Sequence, residues 1–225
     1  MDVYTTTVKF FQEGGVFMYP IAIVLALGVA IAIERWLFLT FTTAKNKALW
    51  NAVTPYLKAG NLAGAVQVTS KSQAAIGHIM TYGLNRVRSA RRREDVEQAM
   101  EESLMEVMPR LEKRTHYLAT FANIATLLGL LGTIVGLISA FTAVATANPA
   151  EKADLLSASI SVAMNTTAYG LIVAIPLLLI HTLLQTKTTE IIDSLEMASV
   201  KFLNAITERA SSEPQPAAAP KQKAG

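Results

Sequence analysis

Apolar residues fall into three long runs, at residues 16–41, 117–147 and 155–185, separated by polar stretches of very unequal length. A hydrocarbon core of about 30 Å takes about 20 helical residues to cross, so each run predicts a transmembrane helix. The second and third exceed that minimum and are expected to tilt or to project at one end. The intervening residues 42–116 are periodic rather than apolar, with Val96, Met100, Leu104, Val107 and Leu111 at helical spacing. Gly60, Gly64 and Gly77 predict breaks between shorter helices there. The stretch from Arg91 to His116 leads straight into the second run, which predicts one continuous helix with a kink at Pro109. Residues 148–154 are only a short connection, so the second and third spans form an antiparallel hairpin. Beyond the third, residues 186–210 carry a stripe of Ile191, Leu195, Val200, Phe202 and Ile206, which predicts a further helix bundling with those of the insertion. The tail at residues 211–225 is polar and rich in Pro and Ala, a composition that predicts disorder.

Composition agrees with a membrane solvent: 52% of the 225 residues are hydrophobic and 16% charged, with a mean hydropathy of +0.35. The leader before the first run carries Asp2, Lys9 and Glu13 rather than a basic cluster, so that run reads as a retained span and not a signal peptide. The insertion holds most of the basic residues, whereas residues 148–154 hold Lys152 against Glu151 and Asp154. The positive-inside rule then places residues 1–15 outside, the insertion 42–116 and the segment 186–210 in the cytoplasm, and the loop 148–154 outside. The triple arginine at residues 91–93 is followed by Glu94, Asp95, Glu97, Glu101, Glu102 and Glu106, which indicates a solvated helix face near anionic lipid rather than a nucleic-acid site. No cysteine is present, His78, His116 and His181 lack ligand spacing, and no nucleophile, metalloprotease or nucleotide-binding motif occurs. An enzyme, a resident metal and a cofactor are therefore not expected.

Within the second span, FANIATLLGLLGTIVGLISAF brings Gly129, Gly132 and Gly136 onto one helical face beside Thr133. Gly132 and Gly136 form a GxxxG pair, which permits close approach of another backbone. The third span contains SASISVAMNTTAYGL, whose Ser, Thr and Asn residues are dense for a lipid-facing helix and should face protein or water. Ser159, Ala163, Thr167, Gly170 and Ala174 make a narrow face of small residues that suits the glycine seam. Counted from the connecting loop at about 1.5 Å per residue, Thr133 lies about 21 Å deep and Thr167 about 18 Å deep. The two hydroxyls are expected to be neighbours or to face one cavity. Neither span has Asp, Glu, Lys, Arg or His at its middle. Glu34 and Arg35 read as an interfacial anchor at the inner end of the first span, with His181 near the same surface. If the helices border an ion route, the titratable acid has to come from another polypeptide.

These residues resemble the MotA/TolQ/ExbB family of ion-driven motor subunits. The likeness rests on FFQEGGVFMYPI before the first span, IER at its end, LEKRTHYLATFANIATLLGLLGTIVGLISAF and NTTAYGLIVAIP. Three spans and the chain length are similar to the TolQ/ExbB branch, since flagellar stator subunits have four. The resemblance implies an all-α integral membrane protein in a pentameric ring of the bacterial inner membrane, with its N-terminus periplasmic and its C-terminus cytoplasmic. It implies a single-span partner similar to ExbD or TolR that supplies an aspartate, and a TonB-like or TolA-like protein beyond it. It further implies H+ or Na+ as the driving ion, with Thr133 and Thr167 facing its route and the glycine seam of Gly129, Gly132 and Gly136, with Gly170, packing the helices within the ring; Thr166, Asn165 and Thr126 are further candidates for the route from their own oxygens. Two departures stand out. Val162 occupies the position of a glutamate in many proton-type members, and Thr126 that of a common proline. The added oxygens of Thr126, Asn165 and Thr166 leave transient sodium binding near Thr133 and Thr167 open beside proton passage. The alternatives are a structural membrane scaffold whose seam only packs helices, and a flagellar or gliding stator-type subunit.

Overall fold

The computed structural model describes residues 10–11, 14–87, 89–90 and 92–212, with side chains described as far as residue 207, and every regular element there is helical. The elements are α1 (Met18–Ala59), α2 (Leu62–Ser70), α3 (Ala75–Val87), α4 (Arg93–Glu112), α5 (Thr115–Thr146) and α6 (Lys152–Ser212). Expectations for residues 1–9 and 213–225 lie outside the described residues. Three stretches, within Met18–Ala59, Arg93–Thr146 and Lys152–Thr207, are long and apolar enough to cross a membrane. The chain divides into two compact units, one formed by residues up to Leu39 with Glu112–Thr188, the other by Thr40–Leu111 with the residues from Thr189 onward.

In the first unit α5 and α6 run antiparallel, and their register follows from small residues. Gly136 meets Ala163, Gly132 meets Thr166, and Gly129 meets Thr167 and Gly170. A Cβ added at Gly170 would stand 2.7 Å from the Ala125 carbonyl oxygen and 3.1 Å from the Gly129 Cα, so here backbone packs on backbone. The seam runs on through buried Leu118, Ala122, Ala125 and Ala140 of α5 and Val173, Ala174, Leu177 and Leu184 of α6. α1 closes on the hairpin where Gly28 faces Leu177. The outer faces are apolar as well: Ile23, Leu27, Leu130, Ile134, Ile138, Ile172, Ile175 and Leu179 are all exposed. Helices apolar on both faces signal a lipid solvent or further protein cover. In lipid, apolar burial no longer drives association, and close van der Waals packing along small residues takes its place.

The second unit obeys the rules of water. Its helices bury one stripe each: Leu49, Val53 and Leu57 of α1, Ile76, Ile79, Met80 and Leu84 of α3, Val96, Met100, Leu104, Val107 and Leu111 of α4, and Ile191, Leu195, Ala198, Phe202 and Leu203 of α6. Val200, expected in the last stripe, is exposed, because its helical angle turns it away and Ala198 and Leu203 take the inward positions. Gly60, at φ 71°, ends α1. Gly64 and Gly77, expected to break helices, instead lie inside α2 and α3. A Cβ at Gly77 would stand 2.9 Å from Leu49 Cδ2, so that glycine serves the approach of α3 to α1.

The expected continuity of the helix of residues 91–116 into the second span is corrected. Pro109 is carried inside α4, which ends at Glu112, and the break falls at Arg114, a non-glycine residue at φ 69°. The left-handed conformation costs an L-residue about 1–2 kcal/mol. Two contacts to α1 hold this turn: Arg114 Nη1 lies 3.2 Å from Glu34 Oε1, and buried Arg35 donates from Nε to Thr115 Oγ1 at 3.3 Å. Both partners of the ion pair are about half exposed, so the pair itself contributes at most about 1 kcal/mol. Replacing Arg114 by Gly therefore exchanges a lost ion pair for a relieved backbone and is expected to leave thermal stability within about 1 kcal/mol of wild type. Arg114→Val, with a β-branched side chain at positive φ, is expected to lower it by about 2 kcal/mol. Melting of the detergent-solubilised protein distinguishes the two; equal melting temperatures would remove the strain argument.

Candidate ion-pathway site at the membrane hairpin

The antiparallel register brings Thr133 Oγ1 and Thr167 Oγ1 to 3.2 Å of each other, both side chains half-buried. Thr167 donates to the Gly129 carbonyl at 2.8 Å, and Thr133 lies 2.7 Å from the Leu130 carbonyl and 3.5 Å from that of Gly129. The approach is possible because Gly129 and Gly170 have no side chains to separate the helices. A threonine hydroxyl carries one proton and two lone pairs. Two protons thus serve the Gly129 carbonyl, the Leu130 carbonyl and the contact between the hydroxyls. When both protons go to carbonyls, the two hydroxyl oxygens face each other with lone pairs only. The site is therefore rich in acceptors and short of donors, in spans whose middles carry no acid and no base. Such an arrangement can accept a donor or a cation brought alongside it, but it has no group of its own that titrates near neutral pH.

The remaining oxygens proposed for the route are not all gathered there. Thr126 lies seven residues before Thr133, hence on nearly the same face and about 10.5 Å along the helix; it is exposed and donates to the Ala122 carbonyl at 3.1 Å. Asn165 is two positions from Thr167, about 200° around the helix, and so points elsewhere. Thr166 is buried, with its hydroxyl 2.7 Å from the Gly14 carbonyl and 2.9 Å from that of Val162. It faces Gly132, where a Cβ would run into the Thr166 side chain. Gly14, Gly15, Ser139, Ser159, Val162 and Thr166 border a cavity of about 210 Å3 on that side. The glycine seam, expected from the resemblance to pack helices within a ring, is filled along Gly129, Gly132 and Gly136 by α6 of the same chain.

At the other end of these helices Glu34 pairs with Arg114, Arg35 reaches Thr115 and lies 4.8 Å over the Phe38 ring, and Lys187 lies 4.5 Å over Trp36. Charged heads and aromatic rings at the end of an apolar run are what a membrane interface accommodates. His181 is half-buried nearby in sequence. Sequence reasoning passed over Gly14 and Thr115. The first partners Thr166 through its backbone, which leaves no side-chain signal, and the second became legible only once the Arg114 break set the start of α5.

Three apolar spans and an interior polar site built from hydroxyls and carbonyls define a multi-pass helical membrane protein. The chain belongs to the MotA/TolQ/ExbB proton channel family, whose model matches residues 71–197. It is 28% identical over 199 residues to a protein of Methanothermobacter thermautotrophicus described as a biopolymer transport ExbB homolog, covering 88% of this chain and 69% of that one. It is likewise 28% identical over 178 residues to an ExbB-like biopolymer transport protein of Synechocystis, covering 77% and 68% of the two chains. A segment of 53 residues is 47% identical to the biopolymer transport protein exbB1 of Vibrio cholerae, covering 24% of this chain and 23% of that one. The family is one of transport and motor channels, not of enzymes.

Proposed function

We propose that this chain is the ion-conducting subunit of a cytoplasmic-membrane motor of the ExbB or TolQ kind. A homo-oligomeric ring, pentameric in this reading, surrounds a single-span ExbD/TolR-like partner whose aspartate carries the titratable charge. Ion flow turns one component against the other and energises outer-membrane transport or envelope work, through a TonB-like or TolA-like protein where one is present. The N-terminus lies outside and the C-terminus inside. The observation that carries this is the Thr133 and Thr167 oxygen pair, 3.2 Å apart, acceptor-rich and without an acid. An uncharged half-site of this kind gains a function when a carboxyl group from a second helix donates to it or shares an ion with it. Val162, in place of an acid, leaves the site's own oxygens to strip water from the ion.

Whether that ion is H+ or Na+ is decided by replacing sodium with potassium at fixed pH while motor-dependent uptake is followed. Hydroxyl and carbonyl oxygens suit a hard cation, and a sodium-driven complex is expected to stop in potassium. Full activity without sodium would assign the path to protons. The fit of α6 into the glycine seam favours one second reading, a scaffold in which the same hydroxyls only hold helices together. In that case removal of the hydroxyls lowers stability and leaves ion flow alone.

A further inference from the structure

The second unit carries two surface features of opposite character. The first is a cavity of about 310 Å3 between α1 and α6, with Trp50, Ile76 and Met197 as its apolar wall. The ionisable groups that border it are Lys47 and Lys201, both exposed. The second feature is on α4, where Met105 is 61% exposed on the far side of the helix from buried Met100, Leu104 and Val107. Glu101 and Glu102, four and three residues before Met105, flank it and are exposed too. Among the described residues none of these two lysines and two glutamates forms an ion pair. No residue of α4 borders the cavity, so a chain cannot seat its own Met105 there. The two features also share a level. α1, α4 and α6 enter the unit at Thr40, Leu111 and Thr189. Lys47 lies seven residues from the first, Met105 six from the second and Met197 eight from the third, or about 10.5, 9 and 12 Å of helical rise. An apolar knob between two acids and an apolar socket between two bases, at one level on different faces, are the two halves of a head-to-tail contact. Repeated around an axis, such a contact closes a ring.

We propose that Met105 of one chain seats in the α1 and α6 cavity of a second copy, with its Glu101 and Glu102 beside that copy's Lys47 and Lys201. Methionine is unbranched and polarizable, which suits an irregular pocket walled by an aromatic ring. Removing it from water supplies the anchor of the contact. The charges stand at the exposed rim, so they add little affinity and instead select which faces meet and in which register. The inference rests on the ring reading given above and names the surface by which neighbouring second units join. It does not involve the hydroxyl pair.

The chain has no cysteine, so introduced thiols report the contact without background. The full-length protein carrying Met105→Cys together with Met197→Cys, both at exposed positions, is treated in its membrane with a short bismaleimide and run on a denaturing gel. A ladder of linked chains up to the full ring is expected. Either substitution alone should leave monomers, because a head-to-tail contact never brings two like positions together. Adding Glu101→Lys and Glu102→Lys should lower the linked yield at least tenfold, and further adding Lys47→Glu and Lys201→Glu should restore it. Native mass spectrometry of the solubilised wild type tests the ring separately. A ring whose double variant gives no ladder overturns this contact and leaves the ring reading in place, whereas a monomer overturns both. Linked dimers from either single variant would indicate a two-fold contact and overturn the proposal, as would a charge exchange that fails to restore the yield.

Discussion

Replacing Thr133 or Thr167 by Val is expected to reduce ion-driven activity at least tenfold while the protein still inserts, folds and assembles. Val keeps the shape of Thr and removes only the hydroxyl. For Thr133 that hydroxyl makes no contact stronger than bonds to its own helix and the 3.2 Å approach to Thr167. Interhelical hydrogen bonds within membranes average about 0.6 kcal/mol, so the folded state should lose little. A conducted ion is in a different position, because every oxygen it meets at this depth replaces hydration, and a tenfold loss of rate needs only about 1.4 kcal/mol. Thr133→Ser and Thr167→Ser keep the oxygen and should keep most of the activity. Proton or sodium flux into liposomes carrying the chain with its single-span partner gives the first measurement, and melting temperature the second. Normal flux in both valine variants would show that the hydroxyls only join helices.

The depth of that pair was legible because a short loop leaves two apolar runs no choice but an antiparallel hairpin, and helical rise then fixes which residues share a level. The partners of Gly129 and Gly136 were nearly legible too, since Ala163, Thr167 and Gly170 lie on the one face of α6 narrow enough to meet the seam, whereas Gly132 meets Thr166, one position off that face. Crowding of polar residues was a poorer guide. Asn165, Thr166 and Thr167 are consecutive, so they must point in three directions, and only Thr167 reaches Thr133. The break before α5 was illegible for a different reason. Pro109, expected to kink the helix without ending it, lies inside α4, while Arg114 takes a conformation that its residue type does not announce. Its supports on α1, Glu34 paired with Arg114 and Arg35 bonded to Thr115, are each eighty residues from their partners along the chain. Contacts at that separation leave no periodic mark.

The largest structural effect is expected at Gly170. Gly170→Leu should prevent a stable hairpin altogether, and Gly170→Ala should destabilise it by about 1–3 kcal/mol, the usual range for overpacking. The obstacle is the Ala125 carbonyl oxygen at 2.7 Å and the Gly129 backbone behind it, neither of which can turn aside as a side chain would. Separating the helices to admit even a methyl group would also carry Thr167 away from the Gly129 carbonyl, so flux and stability should fall together. Gly28 offers the matched control. A Cβ there meets the Leu177 methyl groups at 2.7 and 2.9 Å, at the flexible end of a side chain that can change rotamer. Gly28→Ala should therefore cost less than Gly170→Ala in the melting of the solubilised protein and spare conduction. The reverse order would mean that α1, rather than the α5 and α6 seam, sets the position of the hydroxyl pair.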